Sequence, residues 1–493
     1  MSEPYAPSRP ILPGFHPDPS ICRVGDDYYL ANSSFEYAPG VPLFHSRDLV
    51  SWTQIGNILD RPEHLDVRTG LGGASGGIYA PTLRHHDGRF WMITTNIHEV
   101  GRGHLLVHAE DPSGPWSEPV YVAGLIGIDP DIAWDDDGVC LVTWSDVMRG
   151  GISQATIDPL TGEVLSEPRP LWAGTGGAHA EGPHLIRRGE WWYLLVAEGG
   201  TGPGHMVTIA RSRNIDGPFE PAPTNPILTH RSTSAAVQSV GHSDLVELAD
   251  GSWALVFLAT RPRGTFPRWH TNGRETFLAG VDWVDGWPVI DEARYEVPVA
   301  ATSFVDEFDG DALHPRWISP GVAPSTFART SAAGLHLDSR RDALATTAEG
   351  LLAVRAEDER WSARLHATGD VALSVRMDEA HQLLVERIGA EVRARIVIGP
   401  LSDVVARASD PETAELEIRA TDFEAERGAR RGPDLLRAGL ATAEGFVELA
   451  TLDGRYLSTE VAGGFTGRVI GVEALGEQVI VSRFEYAPGA AAE

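Results

Sequence analysis

Lysine is absent from the 493-residue chain: all 40 basic residues are arginine. That excludes an internal Schiff base, attachment of pyridoxal phosphate and the lysine of a phosphate-binding Walker loop. Cysteine is nearly absent too. Cys22 and Cys140 are too few for a disulfide framework and lack the spacing of a metal site. No run approaches the roughly 18 consecutive apolar residues of a membrane-spanning helix. The opening residues 1–7 carry neither a basic nor an apolar leader segment, so the expectation is a cytoplasmic protein. Positive charge is outnumbered, with 69 Asp and Glu and a formal net charge of −29. Such a surface repels nucleic acid and anionic membranes and excludes both as partners.

Glycine (53) and proline (34) are plentiful. Short aromatic runs sit between turn signals: Tyr28-Tyr29-Leu30, Phe90-Trp91-Met92-Ile93 and Trp191-Trp192-Tyr193-Leu194-Leu195-Val196. They read as hairpin strands, and helical periodicity is scarce before residue 300. Five segments share one layout, with a distinctive side chain, a short strand, a turn nine residues on and an outgoing apolar strand. They begin at Asp18, Tyr79, Asp129, Glu181 and His242, with spacings of 61, 50, 52 and 61 residues. Repeats of this length with several strands each predict an all-β fold with a five-bladed β-propeller. The innermost strand of each blade lines the axis, so the five starting residues should converge at one end of the channel. Three carboxylates brought together repel one another. Their pKa values are pushed apart, which divides acid from base. Read singly, each is also an ordinary turn or cap residue, since Asp-Pro suits an Asx turn.

Three segments carry a resemblance: Gly14-Phe15-His16-Pro17-Asp18-Pro19-Ser20, Gly127-Ile128-Asp129-Pro130 and Glu181-Gly182-Pro183-His184. Around them stand Asn32-Ser33-Ser34-Phe35-Glu36-Tyr37, Ala197-Glu198-Gly199-Gly200-Thr201, Gly241-His242 and Gly273-Arg274-Glu275-Thr276. The chain resembles glycoside hydrolase family 43, in its β-xylosidase and α-L-arabinofuranosidase branch. The resemblance implies a five-bladed propeller and hydrolysis with inversion. It implies Asp18 as general base, Asp129 as the group that tunes and orients the acid, and Glu181 as general acid. It points to Arg274 as a sugar contact and to His242 on the axis, where some relatives support a calcium ion or its waters. No cofactor is required by it, and no direct metal ligand is assigned. The substrate implied is a xylo-oligosaccharide or an arabinose-decorated oligosaccharide. Assembly into a homo-oligomer is left open.

Inversion needs two carboxyl groups roughly 6.5–9.5 Å apart, one protonating the leaving oxygen and one activating water. Phe35, Tyr37 and Tyr79 are candidates for the flat faces of a sugar, with packing between blades as the ordinary alternative. Arg274 suits paired hydrogen bonds to ring hydroxyls; its alternative is a surface ion pair. Tyr79 stands where relatives often carry Trp, which leaves xylose against arabinose open. Asp131 stands where they often carry Ser and reads as solvated or turn-capping. Gly73-Ala74-Ser75-Gly76-Gly77 fits the pattern of a serine-hydrolase elbow, but Pro81 and a strand-like run follow, so it reads as a loop.

After residue 300 the pattern changes. Segment 296–302 reads as a linker, and alternating runs such as 361–366 and 414–419 predict a β-sandwich. The expected division is a catalytic propeller over 1–299 and a sandwich over 300–493. The resemblance implies that Phe465, in Phe465-Thr466-Gly467, reaches over the propeller and closes the site, giving exo action. The expectation is an exo-β-D-xylosidase, with α-L-arabinofuranosidase activity, alone or in addition, as its nearest rival. A non-catalytic carbohydrate-binding propeller and a retaining fructan-acting enzyme are the others.

Overall fold

The computed structural model describes residues 9–62, 64–69, 74–340, 350–409, 414–423 and 431–489. Among them the chain is almost entirely β, with one four-residue α-helix, Thr459–Ala462.

Five four-stranded antiparallel sheets follow one another in the chain, each a meander in sequence order. Their first strands are Ser20–Val24, Thr82–His86, Ile128–Trp134, Glu181–Arg188 and Gln238–Glu247. Each pairs with the strand after it, for example Thr82–His86 with Arg89–Thr94. That turn is Asp87-Gly88, with φ of +49° and +72°. Asp-Gly supplies the two left-handed residues of a tight hairpin. The first strands touch in cyclic order, and the fifth returns to the first.

The apolar runs follow from this ring. A strand between two neighbouring sheets is buried on both faces, so alternate residues enter different cores. Leu194 packs with Ala133 and Leu141 of the third sheet, whereas Leu195 packs with Leu255 and Phe257 of the fifth. Five such cores lie between successive sheets, and the last joins Ile21 and Leu30 to Val256 and Leu278. Each fully buried Leu or Phe contributes about 1.5–3 kcal/mol.

No strand occupies 296–302. Beyond it, an eight-stranded and a six-stranded antiparallel sheet share one core, including Trp317, Trp361, Leu373, Ile418 and Phe484. The burial of Trp361–Thr368 alternates strictly over its length, which is the pattern of a strand with one face in the core.

The two regions meet over a second core. Phe15, Phe35 and Tyr37 pack there with Ile318, Leu351, Ala353 and Val469. Tyr37 is fully buried in that core, so packing is its place. Arg376 donates to Glu36 across 2.8 Å with both side chains fully buried. Arg355 donates to the carbonyl of Phe15. The junction therefore lies directly beneath the loop that carries Asp18.

Candidate active site

The five repeat-starting residues come together. Asp18, Tyr79, Asp129, Glu181 and His242 line one cavity, with Phe35, Ala80, Ile128, Thr201, Arg274 and Phe465. Asp18, Asp129 and His242 have left-handed backbone, with φ of +54°, +53° and +44°. For a residue with a Cβ that conformation costs of order 1–3 kcal/mol and persists only where its surroundings dictate it. Irregular register accompanies it: pairing shifts between Ile128 and Asp131, between Glu181 and His184, and on both sides of Gly241. Each bulge re-aims a side chain from the sheet into this cavity.

Asp18 is buried and held by Arg274, Ser33 and His242. Arg274 donates to its Oδ1 at 3.0 Å and to its Oδ2 at 3.5 Å, and Ser33 donates to Oδ2. His242 Nδ1 lies 3.4 Å from Oδ1. Burial alone raises the carboxyl, but Arg274, His242 and the Ser33 hydroxyl outweigh it and hold Asp18 below its usual value. His242 is itself pushed down to about 4, chiefly by burial, so it is neutral near pH 7. Gly182 makes room for it: a Cβ there lies 2.8 Å from His242 Nε2.

The other two carboxyls are pushed the opposite way. Asp129 rises through burial, then through the charges of Glu181 and Asp18. Glu181 rises to about 7, through burial first and then Asp18. Asp129, expected to raise Glu181, is not among these causes; the repulsion between the two falls on Asp129. The N–H of Gly182 donates to Asp129 Oδ2 at 3.1 Å. A donated hydrogen bond favours the charged form and so partly offsets the rise of Asp129.

Aromatic rings form the remaining walls. Phe465 stacks on Phe35 with centroids 6.0 Å apart and meets Tyr79 edge-on at 6.2 Å. The Arg274 guanidinium stands 5.3 Å from the Phe465 ring and 5.7 Å from that of Phe35. Arg274 also donates to Thr201 Oγ1 at 3.2 Å and to the Phe465 carbonyl at 3.4 Å. It is a buried partner of Asp18 and not a surface ion pair.

Asp131 corrects its reading as solvated or turn-capping. It is fully buried, takes Arg84 at 2.9 Å and accepts the N–H of Leu185 at 2.8 Å. Two residues past Asp129 on a bulged strand, it points down the channel toward the next layer. Arg84, Ser33, Thr201 and Ser75 were not singled out by the sequence. Ser33 and Thr201 sit inside quoted motifs, and Ser75 sits in the loop set aside as an elbow decoy. Ser75 Oγ accepts the N–H of Phe465 at 2.7 Å. Gly73 of that loop lies outside the described residues.

The groups around and below His242 do not fit a calcium ion. Calcium takes six to eight oxygen ligands. The carboxylate touching His242 is already held by Arg274, and the carboxylates one layer down, Asp131 and Asp244, are held by Arg84.

The model of the family Glycosyl hydrolases family 43 matches residues 7–288. A non-reducing end α-L-arabinofuranosidase of Bacteroides ovatus is 35% identical over 95% of this chain and 91% of that protein. A xylosidase/arabinosidase of Butyrivibrio fibrisolvens is 46% identical over 59% of this chain and 59% of its own length. The solved structure of a xylan β-1,4-xylosidase of Bacillus halodurans superposes with a TM-score of 0.85 at 28% identity, covering 98% of this chain and all of that one (100%).

Proposed function

The chain belongs to glycosyl hydrolase family 43, and from that premise we propose that it is an inverting exo-β-D-xylosidase, releasing xylose from the non-reducing ends of xylo-oligosaccharides. One observation carries the reading: in one cavity, Asp18 is held below its usual value while Glu181 is raised to about 7. An ionised base and a protonated acid are what inversion requires. Asp18 takes a proton from water as that water attacks the anomeric carbon. Glu181 gives its proton to the departing glycosidic oxygen. Asp129 keeps that proton on Glu181 and orients it. Arg274 holds Asp18 and presents its guanidinium to sugar hydroxyls.

The five four-stranded sheets are read as the blades of a five-bladed β-propeller over 1–299, and the two larger sheets as a β-sandwich over 300–493. The contact of Phe465 with Phe35 and Tyr79 supports a pocket closed by the second domain. A pocket closed there admits a chain end, hence exo action.

Arabinofuranosidase activity, alone or in addition, is the second reading. Similarity across nearly the whole chain to a relative named for that activity favours it. Assaying aryl β-D-xylopyranoside beside aryl α-L-arabinofuranoside, with Asp18→Ala as control, separates the two. Release of neither sugar by the parent enzyme overturns both.

A further inference from the structure

Arg84 lies at the meeting point of all five sheets. It belongs to the second first-strand, Thr82–His86, and its guanidinium reaches one residue from each of the other four. Nη1 donates to Asp244 Oδ2 at 2.7 Å and to Ser20 Oγ at 3.2 Å. Nη2 donates to Asp131 Oδ1 at 2.9 Å and to Asp244 Oδ1 at 3.3 Å, and lies 3.0 Å from His184 Nδ1. The same carboxylates stitch neighbouring strands: Asp131 accepts the N–H of Leu185, and Asp244 accepts the N–H of Ile21 and the hydroxyl of Ser20.

The register of this layer matters. Ser20, Asp131 and Asp244 stand two residues past Asp18, Asp129 and His242, three of the four left-handed residues of the cavity, Phe35 being the other. His184 stands three past Glu181, across its bulge. Strained backbone holds only where neighbouring contacts over-determine it. Here the layer immediately beneath supplies those contacts, and every one of its members meets at Arg84.

Resting on the reading of this site as an inverting glycosidase, we infer that Arg84 is a positioning residue, an internal cation that takes the axial place of a metal ion and fixes the loop carrying Asp18 and the bulged strands carrying Asp129 and Glu181. Two features suit a guanidinium to this place. Its planar fork binds Asp244 through both nitrogens while one of them also reaches Asp131, which a point charge does not reproduce. It also stays charged: burial opposes the charge, but Asp244 and Asp131 raise its pKa still further above the ordinary value.

The test has a binding arm and a kinetic arm. Calorimetry with calcium chloride on the parent enzyme should show no binding, and hydrolysis of an aryl pentoside should be equal with EDTA or calcium. Arg84→Ala should lower kcat by about 10²-fold, the scale set by small misplacement of reacting groups, with KM nearly unchanged. Dilute guanidinium chloride should restore part of that loss in Arg84→Ala and do nothing for the parent. Arg84→Lys keeps a charge without the fork and should fall between the two, and it carries the kinetic arm if the alanine variant does not fold. Calcium binding that raises the parent rate overturns the inference, as does a folded Arg84→Lys with parental kcat. A parent inactive on every pentoside overturns the glycosidase reading instead, and the calorimetric arm still decides whether the axis takes a metal.

Discussion

Arg274 donates to Asp18 Oδ1 across 3.0 Å, with both side chains buried. The same cation lowers Glu181 as well as Asp18, so one charge sets both sides of the pH profile. Removing it in Arg274→Met should move the acid limb and the alkaline limb of kcat/KM to higher pH together. Opposite movements of the two limbs would show that Arg274 does not act on both carboxyls.

Asp18, held as a carboxylate, is the base in the proposed reaction. Asp18→Ala should lose nearly all activity on every substrate, at least the 10²–10⁴-fold of general-base catalysis, roughly. Proton NMR of the first sugar released by the parent should show the inverted anomer. Retention of configuration would replace the water-activating role with that of a nucleophile.

Phe465 reaches the cavity from the C-terminal region and is fastened there by the Ser75 hydroxyl. An aromatic contact of this kind is worth about 0.5–1.5 kcal/mol beyond its buried area. Phe465→Ala should therefore raise KM for an aryl pentoside roughly tenfold while kcat changes less. Ser75→Ala should move KM the same way by a smaller factor. Steady-state kinetics on both variants check this, and an unchanged KM would remove Phe465 from the sugar-binding wall.

The repeat spacing revealed the cavity because each first strand enters the channel at the same point, so equal position in the repeat means equal height on the axis. The residues beneath were harder to read. Arg84 lies five residues past Tyr79, outside the shared register, and only its long side chain brings it to the centre. Asp131 was hidden by a local rule: after Asp-Pro, a second Asp looks like a turn, yet the bulge after Ile128 turns it into the interior. The pairing of the C-terminal region is long-range. Val479–Pro488 pairs with Phe304–Asp306, Gly334–Leu337 and Trp361–Thr368, and no alternation pattern names its partners. The elbow pattern offers Ser75 only as a nucleophile, a role that Pro81 and the strand-like run after it exclude, whereas here its oxygen accepts a backbone N–H.

Raising Glu181 to about 7 has a cost in stability. A carboxyl whose pKa is higher folded than unfolded binds more protons in the folded state. Stability then falls as pH rises from the unfolded value, about 4.3, through the folded one. The shift corresponds to roughly 3–4 kcal/mol at the alkaline end. Glu181→Gln removes the ionisation and keeps the shape, so it should raise Tm at pH 8 and change it little at pH 5. Thermal denaturation at both values checks this, and equal changes would mean that Glu181 carries no such strain.

Glu181 also differs from Asp18 in what its loss should do to different leaving groups. A sugar alkoxide is a poor leaving group and needs the full proton. A nitrophenolate departs readily and needs little help. General acid catalysis contributes about 10²–10⁴-fold where it is required. Glu181→Ala should therefore cripple hydrolysis of xylobiose far more than that of a nitrophenyl xyloside, and the alkaline limb should flatten because the group that must stay protonated is gone. Asp129→Asn should keep the alkaline limb but shift it to lower pH, since a nearby negative charge that favours the protonated acid has been removed. Comparing kcat/KM on both substrates across pH distinguishes the two variants. Equal losses on both substrates for Glu181→Ala would take the acid role from Glu181 and give it to Asp129, the other carboxyl that burial and its neighbours' charges push upward.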